Sequence, residues 1–151
     1  PTLSEARVQL GSALSAAGRL DDAVDALSAL VARAPLRHPN AWNDLGFAQL
    51  RLGNLPGALS ALRRAVALDP RLGPARVNLG AALLAAGDVS AARAQFEAAL
   101  RINPDDPAAL GNLGLVLAQL GQTQAARERL QRVLDLDPTD ARARAALDAL
   151  P

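Results

Sequence analysis

The chain has 151 residues, of which 50% are apolar and 21% are charged, and its formal net charge is +1. It contains no Cys, Met, Tyr or Lys, which excludes thiolate and Schiff-base nucleophiles, Cys/His metal cages and a phosphate-loop lysine. Because the arginines are scattered among acids and no apolar run approaches the ~18 residues of a membrane span, we expect neither nucleic-acid binding nor membrane insertion.

The first predicted element is a helix near residues 4–17. Leu3, Leu10 and Leu14 have the spacing of one helical stripe, which favours an amphipathic helix. Gly18 is expected to end this helix, because glycine tolerates the left-handed conformation at a helix C-terminus.

A second helix is predicted to follow after a turn of three or four residues. Asp21 or Asp22 is expected to open it, and the equivalent positions later in the chain are Pro56 and Ser90. All of these residue types are common at helix starts. Pro35 is expected to stop the helix, because it has no N–H with which to continue it.

The same features then return three times, at a spacing of 34 or 35 residues. The Leu-Gly glycines are Gly11, Gly46, Gly80 and Gly114; they are followed in phase by Ala23, Ala58, Ala92 and Ala126, and by Pro35, Pro70, Pro104 and Pro138. The small residues are expected where two helices cross closely, so each unit is a helical hairpin. Because one hairpin cannot bury both its faces, the pattern predicts a stacked solenoid. The predicted repeats are 4–38, 39–72, 73–106 and 107–140, with a capping helix at 141–150.

This pattern resembles the tetratricopeptide repeat family over essentially the whole chain. Trp42-Asn43-Asp44-Leu45-Gly46 is similar to the family's Trp-x-x-Leu-Gly start, and Ala58-x-x-x-Leu62 with the Pro70 exit completes the unit. The resemblance implies an all-α, right-handed superhelical solenoid of antiparallel helix hairpins, whose first helices line a concave groove. Pentatricopeptide repeats, which read RNA, have a similar length but lack this Gly/Ala/Pro phase.

Polar residues precede each Leu-Gly pair and are expected on the groove wall. They are Gln9, Asp44, Asn78 and Asn112. Because amides both donate and accept hydrogen bonds, such a row can pair with the backbone of an extended peptide. The Asn-Leu-Gly of Asn78 and Asn112 is similar to the asparagine ladder in the repeats of O-linked N-acetylglucosamine transferase. The alternative is that these amides only cap or bridge neighbouring helices.

Apolar residues on the first helices are expected to make the groove partly hydrophobic, which is typical of a binding surface. For Leu50 and Leu84, packing on the next hairpin is an equal alternative, whereas exposure is favoured for Phe47. The complete predicted peptide groove consists of Gln9, Asn43, Asp44, Phe47, Leu50, Arg51, Val77, Asn78, Leu84, Asn112 and Leu115.

A different binding mode of this family is not expected. Adaptors that grip the C-terminal tails of chaperones use a basic carboxylate clamp. The matching positions here are Val8, Ser12, Asp44, Pro74 and Asn78. None of them is basic, and Asp44 would repel a carboxylate.

Other polar residues are interpreted as structural. His38 is expected to be an exposed loop residue, because a catalytic triad would need a nucleophile and an acid around it. The acids Asp105, Asp106, Asp135 and Asp137 lack metal-loop spacing and are expected at helix starts and in loops. The arginines of the second helices, Arg63, Arg64, Arg127, Arg129 and Arg132, are expected on a solvated outer face.

The predicted function is a non-catalytic protein- or peptide-binding scaffold without cofactor or metal. It is expected to be part of a larger bacterial protein, because the chain begins at Pro1 and uses only arginine as its cation. Two alternatives remain open: a self-assembly module that forms homo-oligomers, and an accessory, substrate-recruiting domain of an enzyme. The missing cysteine fits either redox compartment, and the first five residues lack the basic start and apolar run of a signal peptide. A cytoplasmic location is therefore favoured, and a periplasmic one stays open.

Overall fold

The computed structural model describes residues 3–34 and 37–151. These ranges form nine α-helices and no strand, which confirms the predicted all-α class. The helices are α1 (Leu3–Ala16), α2 (Leu20–Arg33), α3 (Pro39–Arg51), α4 (Leu55–Leu68), α5 (Gly73–Ala85), α6 (Val89–Ile102), α7 (Pro107–Gln119), α8 (Thr123–Leu136) and α9 (Ala141–Asp148).

The first eight helices form four hairpins that stack along the chain. Three residues connect the two helices of each hairpin, and the second helix of each hairpin packs on the first helix of the next. Neighbouring first helices also contact one another, whereas contact between neighbouring second helices is sparse or lacking in the described ranges. The first helices therefore form the inner wall of the solenoid and the second helices its outer surface.

The turn inside each hairpin contains a left-handed glycine. Gly18 has φ +76°, and its equivalents Gly53, Gly87 and Gly121 have φ between +71° and +81°. An L side chain at such a φ is strained, so glycine is the residue that the turn requires. The predicted role of Gly18 at the end of α1 is confirmed.

The predicted start of the second helices is wrong by one to three residues. Only one residue separates the left-handed glycine from the helix, so this residue is the N-cap, and α2 already begins at Leu20. In the second and third hairpins the N-caps are Asn54 and Asp88, whose side chains accept hydrogen bonds from the backbone N–H groups of Gly57 and Ala91. Asp21 therefore lies inside the first turn of its helix, where its negative charge interacts favourably with the positive end of the helix dipole.

The closing prolines lie between hairpins. Pro70, Pro104 and Pro138 each come two residues after the last residue of a second helix, where the missing N–H prevents helix continuation. The first of the four, Pro35, lies outside the described residues.

Within each hairpin, a large side chain of the second helix packs directly against the Leu-Gly glycine of the first helix. The side chain of Phe96 is fully buried, and a Cβ atom added at Gly80 would lie only 2.5 Å from its Cε1 atom. The same relation links Gly46 with Leu62, at 2.5 Å from Cγ. Interiors are packed too densely to absorb such an overlap. The glycine column therefore sets how closely the two helices of each hairpin approach.

The leucine of each Leu-Gly pair packs against the preceding hairpin. Leu45, Leu79 and Leu113 are 3–5% exposed, because the preceding second helix covers them. Leu10 holds the same position in α1 but is 52% exposed, and Leu3 is 69% exposed. No helix in the described ranges takes the place against α1 that α2 takes against α3.

The remnant helix α9 covers the last hairpin, as predicted. Its Ala143 is 4% exposed and forms a buried cluster with Leu110, Leu130 and Val133. Leu147 of α9 packs against the same cluster. The apolar side of α8 is thus shielded from water.

The close approach at the Leu-Gly glycines can be tested by adding a methyl group at Gly80. We expect Gly80→Ala to lower the free energy of unfolding by about 1–2 kcal/mol, because overpacking against Phe96 costs about 1–3 kcal/mol. Relief of glycine's backbone entropy, about 0.5–1 kcal/mol, offsets only part of that cost. The measurement is urea unfolding monitored by circular dichroism.

The control for this prediction is Gly111→Ala in α7. A Cβ atom at Gly111 would have Val133 Cγ2 as its nearest neighbour, at 4.0 Å. We therefore expect a gain of about 0.5–1 kcal/mol at this helix-interior position. Equal effects of the two changes would contradict the close approach at Gly80.

The loop between α8 and α9 makes a second prediction. The Thr139 hydroxyl and the Thr139 backbone N–H donate to Oδ1 of Asp137, at 2.6 and 2.9 Å, and lower the pKa of this carboxyl below its ordinary value of 3.8. The resulting stabilisation is present above that ordinary value and is lost as the pH falls through the lowered pKa. We expect Thr139→Val to raise the pKa of Asp137, measured by NMR titration of its side-chain carboxyl carbon. An unchanged pKa would show that the Thr139 hydroxyl is not the main cause of the lowered pKa of Asp137.

Candidate peptide groove on the inner wall

The predicted groove residues lie on four consecutive first helices. Gln9 comes from α1; Asn43, Asp44, Phe47, Leu50 and Arg51 come from α3; Val77, Asn78 and Leu84 come from α5; Asn112 and Leu115 come from α7. The repeat brings them into register, because each first helix contacts the next one. Their individual surroundings differ, and these differences determine what each one can bind.

Two amides and a carboxylate on the inner wall bind one another. Asn78 Nδ2 donates to Asn43 Oδ1 at 2.9 Å, which connects α5 to α3. Asn43 Nδ2 donates to Asp44 Oδ1 at 3.1 Å, and Asp44 Oδ2 accepts from the hydroxyl of Ser12 on α1. The chain of hydrogen bonds therefore joins three first helices, and at this end of the wall the amides do bridge neighbouring helices.

Other hydrogen-bonding atoms of the wall take no part in this chain. Asn78 keeps its Oδ1 atom outside these bonds, and Gln9 is exposed. Asn112 Oδ1 is 3.5 Å from Arg142 Nη2 on α9, and Asn112 Nδ2 is not part of that contact. Because an amide carries two donors and an acceptor, these three residues retain capacity for a ligand's backbone.

The apolar part of the wall is smaller than the sequence predicts. Val77 is only 8% exposed and belongs to the central core, and Asn43 is 9% exposed. Both occupy the same repeat position, which faces the seam between neighbouring first helices. Because they offer a ligand in the groove almost no surface, the prediction that Val77 and Asn43 line the groove is corrected.

The remaining apolar residues are half-buried or exposed. Leu50 and Leu84 are half-buried and pack against the core, as their packing alternative predicts. Leu115 is 37% exposed. Phe47 is half-buried, and the guanidinium carbon of Arg51 lies 5.8 Å from its ring centroid, within cation–π range.

The structure also contains a cavity that the groove prediction missed. It has a volume of about 290 Å³ and lies where α7, α8 and α9 meet. Its lining residues are Pro107, Ala108, Gly111, Asn112, Leu115, Leu130, Val133, Asp140, Arg142, Ala143 and Ala146. Extending the repeat register into the remnant helix could have signalled it, because Arg142 then aligns with Glu5, Asn40, Pro74 and Ala108.

The polar residues outside the groove have mostly structural roles. His38 lies in the linker before α3, as predicted, but it is half-buried rather than exposed, because it is the N-cap residue of that helix, with a left-handed φ of 60°. Asp106 is the N-cap of α7, and its side chain accepts from the Ala109 N–H at 2.9 Å. Asp105 forms an exposed ion pair with Arg132 at 2.8 Å. Within the described ranges, no group of three or more His, Cys or acidic residues is arranged to hold a metal ion.

None of the described helices combines the length and the apolar character needed to cross a bilayer.

Comparison with sequence families identifies the repeat. Two sequence models of the tetratricopeptide repeat match the chain; one matches residues 8–72 and the other matches residues 49–98 and 83–150. Together they span all four predicted units. No curated protein sequence matches the chain.

Solved structures share the fold over nearly the whole chain. TTC0263, a thermophilic TPR protein of Thermus thermophilus, is 29% identical with a TM-score of 0.81, over 95% of this chain and 79% of that one. YrrB, described as a TPR protein with an unusual peptide-binding site, is 25% identical with a TM-score of 0.79, over 97% and 75%. MamA is 25% identical with a TM-score of 0.79, over 93% and 82%.

The amide bridge makes a third prediction. Asn78→Ala removes the donor to the buried Asn43 Oδ1 atom, and an unsatisfied buried acceptor costs about 1–3 kcal/mol. We therefore expect a loss of that size in the free energy of unfolding for Asn78→Ala. For Asn112→Ala, whose 3.5 Å contact with Arg142 is long, we expect a change within about 0.5 kcal/mol. Losses of equal size in chemical denaturation would contradict the bridge.

Proposed function

Because the chain belongs to the tetratricopeptide repeat family, we propose that it is a non-catalytic scaffold whose groove binds an extended segment of a partner protein. The observation that carries this proposal is the alignment of amide and apolar side chains on successive first helices. In this proposal, repeats 4–38, 39–72, 73–106 and 107–140 and the helix 141–150 act as one binding unit within a larger protein.

The amides give the groove its means of holding a peptide backbone. Asn78 and Asn112 occupy the same position one repeat apart, and each has hydrogen-bonding atoms outside its contacts with neighbouring helices. An extended peptide presents N–H and C=O groups at regular intervals whatever its sequence. The two asparagines therefore orient a peptide segment that runs from α5 across to α7, without selecting its side chains.

The apolar residues give the groove its affinity. Leu115 is exposed, and Phe47 and Leu84 are half-buried on the same wall. Covering a side chain of this size contributes about 1.5–3 kcal/mol when its burial is complete. A few such contacts suffice for micromolar binding after the entropic cost of association.

The similarity to YrrB supports this proposal. Its described peptide-binding site belongs to a chain that is 25% identical and shares the stacked hairpins. The residues of the groove are assigned here from the present structure alone.

The groove makes a fourth prediction. A displayed library of random segments, each about a dozen residues long, is selected against the protein, and the best binder is synthesised and titrated by calorimetry. We expect saturable one-to-one binding and a twofold to tenfold weakening by Asn112→Ala, because one hydrogen bond contributes about 0.5–1.5 kcal/mol. The matched control is Gln131→Ala, an exposed amide on the outer helix α8.

Two outcomes would contradict the groove. One is the absence of any selected segment that binds saturably. The other is binding that Asn112→Ala leaves unchanged and Gln131→Ala weakens, since the ligand would then lie on the outer surface.

A second candidate function is self-assembly through the face of α1. The specific observation is that Leu3 and Leu10 are exposed although the equivalents of Leu10 are buried in every later hairpin. Such faces are typical of protein–protein contacts.

Self-assembly makes a fifth prediction. We expect sedimentation velocity to detect dimers that increase with concentration, and Leu10→Gln to shift the protein towards monomer. Leu52→Gln, at an exposed leucine after α3, is the control. A monomer at every concentration would contradict this candidate.

A further inference from the structure

We propose that the C-terminal end of the groove contains a pocket for one aliphatic side chain of the bound segment, and that Arg142 selects an acidic residue beside it. The proposal rests on the function proposed above, and it adds a preferred ligand chemistry. It is carried by a gap in the repeat pattern, by the surface that this gap opens and by the charge at its rim.

The gap lies at the repeat position three residues before each Leu-Gly glycine. Val8, Asn43 and Val77 hold this position in the first three hairpins, and Asn43 and Val77 fill the seam between first helices. In the fourth hairpin the residue is Gly111, and an added Cβ atom there would have nothing closer than 4.0 Å. The seam between α7 and α9 therefore lacks the side chain that Asn43 and Val77 place in the seams of the second and third hairpins.

The helix on the far side of this gap is also short: α9 has 8 residues, whereas α7 has 13. Contact between successive first helices becomes sparser along the chain, and α7 and α9 contact each other less than any preceding pair. The cavity of about 290 Å³ lies in this seam.

The same seam in the first hairpin serves as an internal comparison. Between α1 and α3 a depression is lined by Glu5, Val8, Gln9, His38, Pro39 and Asn40. No residue of the second helix α2 lines it. At the equivalent site with Gly111, the lining extends down to Leu130 and Val133 of α8. Leu130 and Val133 are each 1% exposed, so they back the pocket from beneath, an apolar backing that the lining of the α1–α3 depression lacks.

The walls and the size of the pocket indicate an aliphatic occupant. Leu115, Ala143 and Ala146 surround the apolar floor. Clefts for whole small molecules occupy about 300–1,000 Å³, so this pocket is at or below the lower end of that range. A volume of about 290 Å³ has room for one leucine-, isoleucine- or valine-sized side chain together with the backbone that carries it.

The rim of the pocket favours an acidic neighbour for that side chain. Arg142 is exposed, its contact with Asn112 Oδ1 is long at 3.5 Å, and no carboxylate of the described ranges forms a salt bridge with it. The other charged lining residue, Asp140, is held as the N-cap of α9 and accepts from the Ala143 N–H at 2.8 Å. The Arg142 guanidinium therefore has donors left beyond its long contact with Asn112, and arginine pairs well with carboxylates.

The first test is the sequence pattern among the segments selected from the random library. We expect enrichment of Leu, Ile or Val directly beside Asp or Glu. In the best binder, replacing the aliphatic residue by Ala should weaken binding about tenfold or more, and replacing the acid by its amide should weaken it about threefold. Selected segments without an aliphatic anchor would overturn the proposal.

The second test fills the pocket from the protein side. Gly111→Val restores the residue that Val8 and Val77 provide in the other hairpins. We expect its unfolding midpoint to remain at or above that of the parent, because the site is open, while the affinity for the selected binder falls about tenfold or more. Ala94→Val, at an exposed position of the outer helix α6, is the control and should leave affinity unchanged.

The third test removes the rim charge. Arg142→Gln should weaken the acidic binder about threefold, should not weaken its amide variant, and should reduce the salt dependence of binding. Arg129→Gln, at an exposed arginine of α8, is the control with the same charge change.

The outcomes separate this proposal from the function on which it rests. Binding that Asn112→Ala weakens but Gly111→Val leaves intact overturns the pocket and retains the groove. A Gly111→Val variant that unfolds earlier is replaced by Gly111→Ala, which should weaken the binder by a smaller factor. No weakening by either variant overturns the pocket, whereas the absence of any saturable binder overturns the groove itself.

Discussion

The structure depends on the absence of a side chain at four glycines. Gly11, Gly46, Gly80 and Gly114 lie directly beneath a large buried residue of the following helix, at distances that a Cβ atom could not share. This lets the two helices of a hairpin approach closely and places Leu45, Leu79 and Leu113 against the preceding hairpin. Because all four hairpins pack in the same way, they stack in register. The wall of first helices follows from that register, and so does every proposal about ligands.

Most of the fold could be predicted from the sequence because its signals repeat. Four copies of the same Gly, Ala and Pro phase give the helix count, the hairpin turns and the capping helix. The N-cap position was missed because the acids Asp21 and Asp22 look like helix starts, whereas the left-handed Gly18 leaves only Arg19 before the helix. Local geometry of the turn, rather than residue preference, decided that boundary.

The candidate site was less predictable, because helical spacing indicates a direction and not a distance. Helical spacing predicts Asn43 and Asn78 on the inner wall, yet α3 and α5 are close enough for the two amides to bind each other, and Asn43 is buried in the seam between them. Val77 disappears into the same seam. How far two neighbouring first helices stand apart depends on packing across several hairpins. The pattern of a single repeat does not contain that information, and the cavity beside Gly111 was missed for the same reason.

The thinning of contact between successive first helices has a mechanical consequence. Hydrogen bonds from Ser12 to Asp44 and from Asn78 to Asn43 tie the first three hairpins together, whereas the backbones of α7 and α9 approach each other at few points. In a stack whose stability is a sum of nearest-neighbour interfaces, such a gradient gives the superhelix a stiff end and a compliant end. Bending under load would then concentrate at the last hairpin.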